Sequence, residues 1–279
     1  MMVAPKAAEA AGKSFGLHPV CAGPFSFVDR VAQDHVTLER FPGYWAADRV
    51  HFNRVVYQVI PDSSVRRANL EAGALDIAEV APLDVDIIAH NPKLSVVSVP
   101  SLGYGALTMN VANGPRAQGP MGQDPRVRLA FELSLDRAAL NAVVFAGLYT
   151  PNAQATSAVS PLYDPTVVIP PRDVARAKAL LKEAGVTTPL AVDLVVYNTP
   201  QGVQAGEVIQ AMASEAGFNV RVNTMEFGAA LAAINRGDYQ ATLGGWSGLL
   251  DTDSDAWSFL HSGGALNICL LYTSDAADE

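Results

Sequence analysis

LAVDLVVY (190–197), GVQAGEVIQAMASEAG (202–217), NVRVNTM (219–225), FGAALAAINRG (227–237) and YQATLGGW (239–246) follow one another along the chain. The first, third and fifth are strand-length runs enriched in β-branched and aromatic residues. The second and fourth are longer, and each closes on a glycine, Gly217 and Gly237, the residue that most readily ends a helix. The succession predicts a β-α-β-α-β unit and hence an α/β domain, in which ligands sit at the loops beyond the carboxyl ends of the strands. Trp246 closes the last strand at that end. An aromatic face there offers a rigid platform for an extended or apolar solute, so Trp246 is the first candidate for a binding site.

Upstream, helical signals lead into this unit. Asp124 is placed to cap a helix with Pro125 in its first turn and Val127, Ala130 and Phe131 on one face. Asp136 caps a second, RAALNAVVFAG (137–147). A Pro-rich stretch of about twenty residues then leads to DVARAKALLKEAG (173–185), whose Val174, Ala177, Leu180 and Leu181 share a side and which Gly185 ends. The first hundred residues read mainly as strands: PFSFVDRV (24–31), HVTLER (35–40), FNRVVYQVI (52–60), LDIAEV (75–80) and KLSVVSVP (93–100). Pro61-Asp62-Ser63-Ser64 introduces one helix among them, VRRANLEAG (65–73), stopped by Gly73.

Composition narrows the function classes. A chain of 279 residues, 49% of them hydrophobic, is expected to form two globular lobes. The net charge of −9 is spread along the sequence, which argues against nucleic acid or an anionic membrane as partner. Two cysteines, Cys21 and Cys269, exclude a disulfide framework and a four-cysteine metal site, and Cys21 reads as a small apolar residue. The five histidines lack the spacing of a helical zinc site, and Asp251, Asp253 and Asp255 open like a calcium loop that Ala256 and Ser262 fail to complete. Neither a metal nor a cofactor is expected. GGWSG (244–248) has the wrong spacing for a nucleophile elbow, so a binder is expected rather than an enzyme, a hydrolase being the alternative. No run reaches the roughly eighteen apolar residues of a membrane span, and MMVAPKAAEAAGKSFG (1–16) does not read as a signal peptide.

An ordered set of phrases adds a family likeness. HPVCAGPFSF (18–27), ERFPGYW (39–45), VVYQVIPDSSVRRANLEAGALDIAEV (55–80), LTMN (107–110), DPRVRLAFELSLDRAAL (124–140), ARAKALLKEAG (175–185) and GGWSGLLDTDSD (244–255) occur in that order. Together they resemble the extracytoplasmic solute-binding proteins of the peptide/nickel ABC-importer family. The resemblance implies a two-lobed periplasmic-binding-protein fold that encloses a small molecule or peptide by closure about a hinge and delivers it, as a monomer, to ABC permease subunits in the membrane. A nickel or metal-complex ligand is the alternative within the family.

Set on that frame, residues 1–103 are expected to supply what remains of the first lobe and 104–268 most of the second, the fold being truncated at both ends. Residues 269–279, CLLYTSDAADE, are expected to be a non-native read-through tail. The family places a cleft-lining Trp at Trp246. It places an Asp that pairs with a peptide's amino terminus at the position of Leu249, leaving Asp251 as the nearest replacement. Tyr104 lies where the chain crosses between lobes and is expected at the ligand. Gly103, Gly105 and Asn110 are expected at the hinge.

Overall fold

The computed structural model describes residues 3–249 and 257–270, and the chain divides into two compact units, Met1–Leu75 and Asp76–Glu279. In the first, helix α1 (Pro5–Ala11) runs into a 3-10 turn, Gly12–Leu17. Three strands follow: β1 (Phe25–Val31), β2 (His35–Arg40) and β3 (Arg54–Gln58), antiparallel in the order β1-β2-β3. The β1–β2 register runs from Phe25 opposite Arg40 to Val31 opposite His35 and shifts between Phe27 and Asp29. Helix α2 (Ser63–Glu71) begins at Asp62, whose carboxylate accepts the Ser64 and Val65 N–H groups that the first turn leaves unpaired. Only Thr37 and Ala46 are buried among the described residues of this unit.

The second unit opens with a 3-10 turn (Pro82–Asp84) and α3 (Val85–Ala89), then β4 (Tyr104–Met109) and α4 (Pro120–Gln123). Next come α5 (Pro125–Leu133), α6 (Arg137–Phe145) and α7 (Val174–Glu183), each started by an aspartate side chain, Asp124, Asp136 and Asp173, bonded to a first-turn N–H. The predicted β-α-β-α-β stretch forms β5 (Leu190–Tyr197), α8 (Pro200–Glu215), β6 (Phe218–Met225), α9 (Phe227–Asn235) and β7 (Ala241–Trp246). The strand order is β4-β7-β5-β6, with β5 parallel to β6 and β7 and with β4 antiparallel to β7.

Strand alternation splits the sheet's side chains between two cores. Val192, Leu194, Val196, Phe218 and Val220 face Val127, Phe131, Leu180, Leu181, Ile209 and Ala213 of α5, α7 and α8. Phe131 and Phe218 meet edge to face, ring centroids 5.0 Å apart. On the opposite face Val195 packs with Ala230 and Ile234 of α9 and with Tyr239. Helices thus cover both faces, as a parallel sheet requires. Gly206 lets α8 lie close to β6: a Cβ there would come within 2.8 Å of a Val222 methyl.

Two expected strands are absent. Residues 75–80 and 93–100 run as irregular chain, with Ile77, Val97 and Val99 all more than three-quarters exposed. Their β-branched residues fit a pleated, half-buried surface, and without a neighbouring strand to pair them the propensity has nothing to act on. The last strand is also shorter than its sequence suggests. Tyr239 lies ahead of β7 in the turn from α9 and is 1% exposed, packed as a core side chain.

Candidate functional site

β7 ends at Trp246 and β4 begins at Tyr104, and the antiparallel ladder sets these two residues opposite one another. With side chains alternating between faces, Tyr104 and Ala106 of β4 share a face with Gly244 and Trp246 of β7. Phe259, in the helical turn over 257–260, closes the cluster. Its ring stands edge-on to Trp246 at 5.1 Å and to Tyr104 at 6.3 Å. Edge-to-face pairs at these separations add about 0.5–1.5 kcal/mol each beyond the area they bury. Two residues expected at the ligand, Trp246 and Tyr104, are therefore brought together, and Phe259 joins them.

Backbone packing explains why glycines crowd this strand end. A side chain at Gly103 would overlap the Trp246 carbonyl, and Gly248, at φ +73, lies against the backbone of Leu102. The chain on either side of the aromatic pair is held at a distance only glycine permits. Leu249 follows, 46% exposed. Asp251 lies outside the described residues.

At the other end of β4, Asn110 is 1% exposed. Its amide donates to the carbonyls of Asn113 (2.8 Å), Tyr239 (3.0 Å) and Gly237 (3.4 Å), and its side-chain oxygen accepts the Asn113 N–H at 2.8 Å. Asn113 in turn donates to Ile234 O and Ile268 O. Cys269, the first residue of the segment set apart as a tail, accepts the Ala112 N–H through its carbonyl at 3.0 Å. Asn110 is thus the centre of a knot joining β4, the end of α9 and the chain over 267–269.

Sequence reasoning missed Tyr197, the last residue of β5. Its ring packs on Phe227, the first residue of α9, with centroids 5.0 Å apart, and burial pushes its hydroxyl pKa up, so it stays protonated at neutral pH. Extending the β5–β7 register by two residues from Val195 opposite Thr242 sets Tyr197 beside Gly244. Period-two counting back from Trp246 to Gly244 was the signal that could have pointed there. Tyr239 is a second buried phenol. Burial pushes its pKa up, and its hydroxyl has no hydrogen-bond partner among the described residues. Among the described residues no three His, Cys, Asp or Glu side chains gather where they could hold a metal.

Residues 2–267 match the description of bacterial extracellular solute-binding proteins, family 5 Middle. The chain belongs to this family. It is 30% identical over 236 residues to the glutathione-binding protein GsiB of Pectobacterium atrosepticum, a match that covers 84% of the chain and 45% of the relative. Among solved structures it superposes on DppA of Helicobacter pylori in complex with the peptide STSA (TM-score 0.84, 22% identity, 99% of this chain and 55% of that one). It also superposes on NikA of Staphylococcus aureus in complex with Ni(L-His)2 (TM-score 0.82, 22% identity, 96% and 57%). The chain spans about half the length of these proteins, and the fold is the α/β fold of periplasmic binding proteins. The relatives of this family-5 chain are solute-binding proteins of transport systems rather than enzymes. The family is extracytoplasmic, and no helix among the described residues is long and apolar enough to cross a membrane. Tyr104, Asn110, Tyr197, Gly244, Trp246 and Phe259 all fall inside the matched span.

Proposed function

We propose that this protein captures a small solute, an oligopeptide or a molecule of similar size, outside the cytoplasm. It then presents the solute unchanged, as a monomer, to the permease subunits of an ABC importer. The observation that carries the reading is the pairing of Tyr104 with Trp246 at the carboxyl end of β7, backed by Phe259, within a chain of family 5. Aromatic side chains at that end of a parallel sheet supply large contact area at little conformational cost, which suits capture and release. Relatives that bind glutathione, a peptide and a nickel–histidine complex support a solute of that size range.

In this reading residues 104–268 supply the aromatic platform, while Gly103, just ahead of β4, and Gly105, within it, give the hinge its freedom and Asn110 anchors the strand's far end. Leu249 supplies apolar surface where peptide binders place a carboxylate. A free amino terminus therefore gains a solute little over a blocked one, unless Asp251 provides the charge.

Titrating the protein with glutathione, tri- to pentapeptides and the nickel–histidine complex should give a saturable change in tryptophan fluorescence with one of them. The bound solute should be recovered chemically intact by mass spectrometry. Trp246→Ala should weaken that binding about tenfold or more, the loss of one aromatic contact. Unchanged affinity would remove Trp246 from the site, and turnover of the solute would replace binding with catalysis.

A further inference from the structure

Five glycines flank the aromatic pair, Gly103 and Gly105 beside Tyr104 and Gly244, Gly245 and Gly248 beside Trp246, and most have a steric reason to be glycine. A Cβ at Gly103 would overlap the Trp246 carbonyl, and one at Gly245 would lie 2.8 Å from the Tyr104 carbonyl. Gly244 has none. A Cβ there meets a single atom within 4 Å among the described residues, the Tyr197 hydroxyl at 3.8 Å, which is ordinary contact, and its φ is not in the left-handed region. Glycine inside a strand is worse than alanine by about 0.5–1 kcal/mol, and where no backbone constraint demands it, it marks a place where something else approaches closely. Gly105, equally unhindered, opens onto the opposite and exposed face.

What surrounds the missing side chain defines the visitor. Along one row of the sheet Gly244 lies between Ala106 of β4 and Tyr197 of β5, and the next row holds Tyr104 and Trp246. The floor is therefore a hydrogen and a methyl group. The sides are aromatic rings, with Tyr197 braced by Phe227 and Trp246 by Phe259. The Tyr197 hydroxyl, kept protonated by burial, is the polar atom that lies at the gap, 3.8 Å from where a Gly244 Cβ would stand.

We infer that Gly244 and Tyr197 form a specificity-determining notch that admits an uncharged aromatic or long aliphatic side chain of a peptide-like solute. The inference rests on the solute-binding reading and assigns within it which side chain is selected. Gly244 provides the depth. Tyr197 provides a wall and a hydroxyl that can bond the solute's adjacent amide, whereas a carboxylate or ammonium in the notch would lose its water against rings that cannot replace it.

Isothermal titration of the 279-residue chain with trialanine and with Ala-Phe-Ala tests this. The parent should prefer Ala-Phe-Ala by about tenfold or more, the discrimination an apolar pocket can supply. Gly244→Leu should abolish the preference and Gly244→Ala should reduce it. Alanine meets no clash at this position, so Gly244→Ala keeps the test informative should the leucine variant fail to fold. Tyr197→Phe should weaken binding of both peptides while sparing the ratio, because only the amide contact is removed. Equal affinity of the parent for the two peptides, or a preference that survives both Gly244 substitutions, would overturn the notch and leave solute binding standing. If neither peptide binds, the notch and the peptide-like solute class fail together.

Discussion

In the unit Met1–Leu75 the sheet β1-β2-β3 leaves Val28, Val31, Val56 and Tyr57 at least 46% exposed, whereas in the unit Asp76–Glu279 Val192, Leu194, Val195 and Val196 of one strand are all within 2% of fully buried. Both sheets draw on β-branched and aromatic residues, but the first also carries Asp29, Arg30, Glu39, Arg40 and Arg54 where the longer second sheet has only Asp193 and Arg221. They differ also in what lies on them, since α5, α7 and α8 cover one face of the second sheet and α9 the other. Apolar content in a strand stabilises nothing until a second layer takes it out of water, at about 25 cal/mol per Å² covered. Strand formation therefore does not by itself locate stability, which resides where a sheet is covered.

Removing one phenyl ring from each unit should expose the difference between them most clearly. Phe131 is fully buried against Phe218, and Phe131→Ala should lower the opening free energy of β5 and α5 amides, read by hydrogen exchange, by about 3–5 kcal/mol. Phe27 is part-exposed and touches His18 edge-on at 5.8 Å. Phe27→Ala should change protection in its own sheet by less than about 1 kcal/mol. Limited proteolysis of the parent should likewise cut within 3–75 before 124–246. Equal losses in the two units, or earlier cutting in the second, would show that the exposed sheet is more stable than its burial allows.

A smaller effect belongs to the knot at Asn110, which decides whether a polar residue can matter as much as an apolar one. Asn110→Ala strands the buried carbonyls of Gly237 and Tyr239 and the part-buried one of Asn113, and each buried group left unpaired costs about 1–3 kcal/mol before relaxation. Settling of the turn and water entry should hold the total near 2–3 kcal/mol, below the Phe131 effect, and concentrate it in β4, α9 and the chain over 267–270. Exchange that accelerates evenly across the unit would mean that Asn110 is an ordinary core residue and not the tie between these elements.

The β-α-β-α-β stretch was legible because each local signal agreed with the final packing. Apolar strand runs gave buried strands, Gly217 and Gly237 stopped helices with φ of +99 and +74, and Asp124 and Asp136 capped where they were expected to. The runs at 75–80 and 93–100 misled because a strand needs a partner, and partnership is a long-range fact that composition does not carry. At the candidate site, Trp246 and Tyr104 were singled out from strand ends and family phrases. Their registration opposite each other, and the contact of both with Phe259, depend on an antiparallel pairing across more than a hundred residues. Gly244 could be read only once the atoms that would meet its Cβ were known, since sequence does not distinguish a glycine required by the backbone from one that leaves room.

The smallest expected effect lies in the weakly buried unit, where electrostatics has least to compete with. His35 sits at the start of β2 with Nδ1 2.6 Å from an Asp34 carboxylate oxygen and Nε2 3.2 Å from one of Asp29, while Gln58 lies opposite it on β3. Hydrogen bonds to Asp34 first and Asp29 second raise the His35 pKa above its ordinary 6.5. The Thr37 hydroxyl first and His35 second, with a lesser contribution from Arg54, lower that of Asp29 below 3.8. A histidine raised on folding contributes stability that is complete below its unfolded pKa and disappears as pH rises through the folded value. An aspartate lowered on folding contributes above its unfolded pKa and loses that contribution as pH falls through the folded value. The β1–β2 hairpin should therefore be most protected between about pH 4 and 6.5, and its exchange, corrected for the intrinsic rate, should quicken as the solution is taken to pH 8. His35→Gln should flatten that dependence while leaving the β5 and β6 amides as they were. Protection that holds steady or rises through this range would mean that the histidine and its two carboxylates share a surface without coupling, and that their contacts add nothing to the stability of the hairpin.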